Sequence, residues 1–496
     1  MSATSGSTKL DIIYGIDDIP PKGECAALGL QHYLTMFGST VAIPLMMAGP
    51  LGISDDPEKL GWLIGTMFFV SGIATMLQAT WGNRLPIIQG GTFSFLAPAM
   101  AICGMAAIKD AGFDVKMTHI QGAVIVGGLI QMIVGYSGLV GKVLRFVGPV
   151  TIAPTIALIG LSLYPYGAPV AGKHWGIGGL TIALIVLFSQ LLRQKHRIFE
   201  LFPILLGMGG AWAVAAILTA TDVFPADHPA YCSLDKVAAA AWVRVPMPFQ
   251  WGMPAFNAAA IVGLLAGVIA SIVESIGDYY ACARLAGAPI PTAKVVSKGI
   301  GMEGVGGLIA GVFGTGNGTT SYSENIGAIG LTRVGSRRVI QWGAGIMIVL
   351  GTVAKFGALF TTIPQPIVGG MYCALFGMIA AVGLSNLQFV DMNAPRNLFI
   401  IGFAFFMGLS MPQYIGANPV VIEGMPWLAD IINTLGKTSM AVGAFIALIL
   451  DNIVPGTDEE RGLTAWAQPK TTSQQAYAPT VDVSAVYIDL ETENEE

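Results

Sequence analysis

Thr319-Thr320-Ser321-Tyr322-Ser323-Glu324-Asn325-Ile326-Gly327-Ala328-Ile329-Gly330-Leu331-Thr332-Arg333 is a polar, small-residue segment inside a chain that otherwise reads as hydrocarbon. Thr and Tyr at its start favour extended backbone, and the Ala/Gly/Leu/Ile run after Glu324 suits a short helix. A counterpart stands far upstream, Gln89-Gly90-Gly91-Thr92-Phe93-Ser94-Phe95. Both join a polar, Gly-rich entry to an aromatic beside Ser, directly before an apolar run. Extended backbone cannot face lipid unpaired, so the economical arrangement pairs the two short strands with each other near the midplane, inside a helical bundle. The N–H groups at the starts of the two half-helices then point toward a central cavity.

The surrounding composition requires such a bundle. Of 496 residues 54% are apolar and only 11% charged, with a mean hydropathy of +0.67. A soluble domain carries roughly 25% charged residues, so this surface cannot all face water. The 64 Gly and 28 Pro fit a membrane bundle, where small residues let helices approach closely and breaks are tolerated beside a cavity. No basic block suggests nucleic acid, the five Cys form no disulfide framework or metal cluster, and no cofactor is implied.

Spans are expected at 24–48, 60–80, 88–107, 118–138, 143–161, 175–192, 201–220, 254–280, 292–313, 319–332, 338–360, 366–386, 396–412 and 436–454. The fold class is therefore an all-α polytopic membrane protein. It has fourteen transmembrane segments as a seven-plus-seven inverted repeat, with two short β-strands in discontinuous segments 3 and 10. An odd number of spans per half makes the second half enter the membrane in the opposite sense. The expected divisions are a cytoplasmic tail 1–22, a first repeat 23–220, an external loop 221–252, a second repeat 253–455 and a cytoplasmic tail 456–496. The polar start, with Asp11, Asp17 and Asp18, does not read as a cleavable signal peptide. With both termini cytoplasmic, Arg84, Lys142, Arg145, Arg193, Lys195, Arg197, Arg284, Lys294, Arg333, Arg337, Arg338 and Arg396 fall at cytoplasmic ends, as the positive-inside rule asks.

Acids inside spans are costly and mark solute or proton pathways. Glu274 and Asp278, four apart in one span, share a helix face. Glu324 stands at a strand-to-helix junction and is expected to face the same cavity as Glu274, so their titrations should be coupled. One carboxylate can accept ligand N–H groups while another links binding to protons. Asn325 and Gly327 can complete the turn, and Arg333 ends the half-helix. Glu303 is a further buried acid, suited to proton coupling or to a hydrogen bond between core helices. His32 reads as a core histidine that holds helices together. Phe95 corresponds loosely to Glu324 in the first half, with Phe93 and Tyr322 as neighbouring aromatics. Rings, backbone N–H groups and two acids would suit a flat heterocyclic base. Two acids could also serve general acid–base chemistry, but no Ser/His pair or metal cluster accompanies them.

The run Glu324 through Arg333 resembles the signature of the nucleobase–ascorbate transporter family, also called nucleobase:cation symporter family 2. The resemblance extends to Gln31-His32, Thr35-Met36-Phe37, Gln89–Phe95, Glu274 through Tyr280 and Gly335-Ser336-Arg337-Arg338, and within the family it is nearest to bacterial uracil and xanthine permeases. It implies a core domain of segments 1–4 and 8–11 and a gate domain of segments 5–7 and 12–14, a homodimer formed through the gates, and proton-coupled import at the plasma membrane. On this resemblance Glu274 and Glu324 clasp the base, and Phe93 or Phe95 packs on it. Tyr322, Ser323 and Asn325 complete the binding set, while Glu303, His32 and Asp278 match positions tied to proton coupling. Gly327, Thr332 and Arg333 belong to the structural motif. Glu324 resembles the acid of uracil permeases, where purine-selective members more often carry Gln and ascorbate members usually Pro. The Gly277–Arg284 continuation and the long loop look more like purine and ascorbate members. Uracil with a possible xanthine and uric acid range is therefore the expected cargo. A purine-selective symporter, and an anion exchanger or channel of the same architecture, are the alternatives.

Overall fold

The structure is a computed structural model that describes residues 12–140, 146–233 and 235–464. Lys142 and Arg145, and the tails at 1–11 and 465–496, lie outside the described residues. The apolar runs form helices because a helix satisfies its own amides and carbonyls where water is absent. In chain order they are α1 (Lys22–Leu51), α2 (Pro57–Thr80), strand β1 (Gln89–Gly91), α3 (Leu96–Cys103), α4 (Phe113–Tyr136), α5 (Pro149–Ser162), α6 (Trp175–Val186), α7 (Pro203–Ala220) and α8 (Ala258–Leu285). They continue as α9 (Ala293–Phe313), strand β2 (Thr319–Ser321), α10 (Ser323–Thr332), α11 (Arg337–Thr352), α12 (Gln365–Ser385), α13 (Pro395–Ala417) and α14 (Ser439–Ile453). Among the described residues, nine helical stretches are long and apolar enough to cross a membrane. The count is ten if Trp427–Gly436 and Ser439–Ile453, bent by 89° at their junction, form one span. The protein is thus an all-α polytopic membrane protein, with one two-stranded sheet among the described residues.

Local chemistry sets the helix ends. Asp56 caps α2 by accepting from the Lys59 amide at 3.0 Å, with Pro57 at the first helical position. Asn257 accepts from the Ala259 and Ala260 amides and starts α8. α9 stops at Gly314, whose φ of 70° places it in the left-handed region that glycine enters without strain.

The packing is pseudo-symmetric. α4 lies on α9 and α2 lies on α11, and each pair is the image of the other when α1–α7 is matched in order with α8–α14. α1 on α11 and α8 on α4 form a second such couple, as do α6 on α7 and α13 on α14. The tightest seams are backbone to backbone. A Cβ on Gly135 of α4 would sit 2.1 Å from the Gly301 nitrogen of α9, and one on Gly304 would sit 2.2 Å from the Met132 nitrogen. Small residues there bring helices together by van der Waals contact, the attraction that remains when lipid cancels the hydrophobic drive.

The 221–252 connection is docked, not loose. The Arg244 guanidinium lies 3.8 Å from the Trp62 ring centroid, and its backbone bonds to the Thr352 carbonyl. Gln250 accepts from Arg244 and donates to Thr66 of α2 and to the Phe313 carbonyl at the end of α9. Partial burial pulls the Arg244 guanidinium below its ordinary pKa, against the opposing charge of Glu58. At the other end, buried Asp451 of α14 accepts from Arg396 at 2.8 Å and from Arg461 at 3.1 Å, tying 454–463 to α13.

Candidate functional site

The expected strand pair forms. β1 and β2 run antiparallel with Gln89 opposite Ser321, Gly90 opposite Thr320 and Gly91 opposite Thr319, and all six residues are buried. The Tyr322 amide extends the ladder to the Ile88 carbonyl at 3.1 Å. Thr75 of α2 covers the outer edge, accepting from the Gln89 amide and donating to its carbonyl. Across the same level the Thr92 amide donates to the Asn317 side chain at 2.8 Å. Gly90 is required by close approach, since a Cβ there would stand 2.7 Å from the Tyr322 ring. The Tyr322 hydroxyl donates to the Gly91 carbonyl at 2.8 Å and accepts from Thr40 at 3.2 Å, which locks that ring across the ladder.

The two junctions differ in detail. A 3-10 turn, Phe93–Phe95, precedes α3, and the Thr92 side chain accepts from the Ser94 amide. α10 starts directly after Tyr322 with no side-chain cap. Its first N–H groups therefore remain available to an acceptor, at the positive end of the helix dipole. Counting three residues from the end of each strand makes Ser94, not Phe95, the counterpart of Glu324, and Phe95 the counterpart of Asn325. Both members of that second pair are buried packing elements. Phe95 presses on Gly318 and Gly267, positions where a Cβ would approach its ring to 2.4 and 3.0 Å. Phe93 is half-buried and meets Phe376 of α12 edge to face at 6.0 Å.

The acids separate into distinct environments. Glu324, in the first turn of α10, is exposed, and its Oε1 accepts from Ser39 of α1 at 2.8 Å. Glu274 of α8 is half-buried, makes no hydrogen bond to another described residue and lies within electrostatic reach of Glu324 and Glu303. Asp278 shares its helix but is buried. Its Oδ1 accepts from Ser323 at 2.8 Å, while Oδ2 has no hydrogen-bond partner.

Glu303 of α9 is the most heavily bonded of the four. Its Oε1 accepts from Ser321 at 2.6 Å, Tyr279 at 2.8 Å and Gln89 at 3.3 Å. Its Oε2 accepts from Ser275 at 2.7 Å and Gln131 at 3.4 Å. One carboxylate thus gathers both strands, α4 and α8. Sequence reading missed these partners, although Ser271, Ser275 and Tyr279 repeat every four residues and form a polar stripe on α8. Ser271 and Ser275 both reach Thr320 of β2.

The remaining motif residues hold the half-helix in place. The Asn325 amide donates to the His32 carbonyl at 2.8 Å and meets His32 Nδ1 at 3.2 Å, so the pair fastens α10 to α1. Gly327 completes no turn. It lies inside α10, exposed, where a Cβ would meet nothing. Thr332 donates to the Ala328 carbonyl, and Arg333 caps the helix with φ 58°. Beyond it, 13–18 runs alongside 333–337, with Tyr14 bridging Val334, Ser336 donating to the Asp18 carbonyl and Arg337 paired with Asp17. Among the described residues no group of three or more His, Cys, Asp or Glu side chains is arranged to hold a metal ion.

The model of the Permease family matches residues 23–416. The chain is 47% identical over 496 residues to mouse solute carrier family 23 member 2, covering 92% of this chain and 76% of that protein. It is 46% identical over 500 residues to rat solute carrier family 23 member 1, covering 92% and 83%. It is 39% identical over 481 residues to nucleobase-ascorbate transporter 2 of Arabidopsis thaliana, covering 92% and 91%. In fold it is similar to the transmembrane domain of a cyanobacterium bicarbonate transporter, BicA, at TM-score 0.53 and 16% identity over 85% of this chain and 99% of that one. SLC26A9 is similar at TM-score 0.56 and 11% identity, over 79% of this chain and 63% of that one. The family model and these relatives each span most of the polytopic bundle, broken segments included, so the chain belongs to the nucleobase–ascorbate transporter family and is a transporter, not an enzyme.

Proposed function

We propose that the protein imports a nucleobase together with protons by alternating access, with uracil as the leading cargo and xanthine and uric acid within range. One observation carries this reading: exposed Glu324, at the uncapped start of α10 that follows β2, and half-buried Glu274 of α8 lie within electrostatic reach of each other. The carboxylates accept N–H groups at the rim of a base, the α10 amides donate to its carbonyls, and Phe93 covers its face. Asp278, with one carboxylate oxygen unpartnered, is the proton-responsive neighbour, while Glu303 and His32 position the elements that carry the site.

The same reading gives the topology. Fourteen segments in two inverted repeats follow if Pro149–Leu191 counts as two spans, Trp427–Ile453 as one, and β1–α3, β2–α10 and Arg337–Phe360 as one each. That 43-residue stretch is about twice the roughly 20 residues a single span needs. α1–α4 and α8–α11 form the core and α5–α7 and α12–α14 the gate, a grouping supported by the extensive packing within each set. Exposed Phe399, Phe403 and Phe406 on α13 suit a gate-to-gate homodimer, in the plasma membrane with both termini cytoplasmic.

Uptake of radiolabelled uracil, xanthine, uric acid and ascorbate by cells expressing the protein, at several external pH values, tests this. Uracil or purine uptake that rises as external pH falls and collapses with the proton gradient is expected. Failure to transport any base ends the cargo assignment, and indifference to the gradient ends proton coupling. Purine uptake without uracil uptake selects the purine-selective reading. The fold likeness to a bicarbonate transporter keeps an anion exchanger or channel as the other architecture-compatible reading, although paired acids repel an anion. Electrical current persisting in the Glu274→Gln, Glu324→Gln double variant would favour that reading.

A further inference from the structure

A cavity of about 660 Å³ lies away from the four acids, at the end of the bundle opposite Arg84, Arg337 and Arg338. Ala97 and Met100 of α3 form one wall, Tyr164 and Tyr166 after α5 another, and Gln413 of α13 and Lys437 complete it. Its volume is that of a small-molecule site, within the roughly 300–1,000 Å³ such sites occupy. The α3 wall matters most. Ala97, Met100 and Gly104 follow Phe93 at steps close to one helix turn, so the wall of this cavity continues the face that begins at Phe93. The cavity therefore lies in line with the central site, outward of the Phe93–Phe376 contact.

The lining has a specific chemistry. Tyr164 is exposed and its hydroxyl accepts from the Gln413 amide at 3.3 Å. Lys437 is half-buried at the 89° bend between Pro426–Gly436 and α14, and its ammonium has no carboxylate partner among the described residues. A lysine at a helix C-terminus is favoured by the dipole alone, but this one also lines a concave site beside aromatic rings and an amide. A cation, flat π faces and an amide suit a planar heterocyclic anion.

We propose that this cavity is an outer capture site, where an anionic base binds before it reaches Glu274 and Glu324. The proposal rests on the transport reading above. Acids in the central site oppose an anion, so a cation upstream concentrates anionic cargo that the centre then accepts with a proton. Electrostatic focusing of this kind acts on capture and leaves turnover alone.

The test compares urate, a monoanion at neutral pH, with uracil, which is neutral. Lys437→Gln should raise the KM for urate about tenfold at equal surface abundance, with the maximal rate and the uracil KM unchanged, and Lys437→Arg should restore it. An unchanged urate KM, or both KM values rising together, overturns the proposal. If the wild-type protein takes up neither base, the transport reading fails by itself, and the cavity is judged by labelling. Urate should then slow modification of a Gln413→Cys variant by an impermeant maleimide applied to intact cells, and Lys437→Gln should remove that protection. Labelling that urate does not slow overturns the site.

Discussion

Glu303 accepts five hydrogen bonds in a buried setting, while Glu324 accepts one and faces open space. The two respond oppositely to the same isosteric change. Glu303→Gln replaces one acceptor oxygen with a donor amide, so O–H and N–H groups now satisfied meet another donor. Each buried group left unpaired costs about 1–3 kcal/mol, and a lower unfolding temperature of the detergent-purified protein is the expected reading. Glu324→Gln should leave that temperature within a degree or two, because its surroundings are already solvated. On the proposed cycle it lowers base uptake by about tenfold or more, the loss of one charge-assisted hydrogen bond of roughly 1.5–3 kcal/mol. Equal stability loss in both variants would contradict the division. Gly90 is judged by the same logic: Gly90→Ala drives a methyl into the Tyr322 ring, and loss of uptake with the protein still at the surface is expected.

Among the elements, α14 depends on an ion triad that no helix pattern reveals. Asp451 is fully buried between Arg396 and Arg461, and Asp451→Ala strands two guanidinium groups. Removing one partner of a buried ion pair costs about 3–5 kcal/mol, so the variant should fail to accumulate as folded protein, judged by size-exclusion profile. Asp451→Asn, which keeps an acceptor, should be milder.

The elements were legible in sequence where hydropathy or a strand signal ran for several residues: the broken segments at Gln89 and Thr319 and most long helices fall where the pattern puts them. What escaped were relations across the chain. Glu303 was visible as a buried acid, but its donors come from β1, β2, α4 and α8, and no periodicity announces which helix will face which. Phe95 corresponds loosely to Glu324 when the two polar, Gly-rich entries are compared by residue type, and only the strand register moves that match to Ser94. Gly327 suggested a turn because glycine often makes one, yet it sits in an unbroken helix. The 221–252 stretch read only as an external loop between the two halves, and its composition does not say that Arg244, Gln250 and Trp251 dock it on α2 and α9.

For the whole molecule, exposure is one-sided at the site. Glu324 and Gly327 of α10 are exposed, as are Gly277 and Tyr280 of α8, whereas Phe95 and Tyr322 are buried. In this conformation the proposed path is open along the ends of α8 and α10 that the proposed topology puts on the cytoplasmic side. A cysteine at Gly327, where a side chain meets no atom within 4 Å, should be modified by an impermeant thiol reagent in inside-out vesicles, and base should slow the reaction. Modification only from the outer face would reverse the assigned orientation.

The β1–β2 ladder also constrains how the molecule comes into being. Gln89 and Ser321, which face each other across it, are 232 residues apart in sequence. At a synthesis rate of about 5–20 residues per second, roughly 10–50 s pass between the emergence of one strand and that of its mate. During that interval Thr75 can hold the Gln89 amide and carbonyl, but the groups of Gln89–Gly91 that pair with β2 have left the ribosome without their partners, in a membrane that offers no water to replace them. The nascent first half must therefore wait, sheltered by the insertion machinery or by its own loosely gathered helices, and its final packing is postponed until the second half arrives.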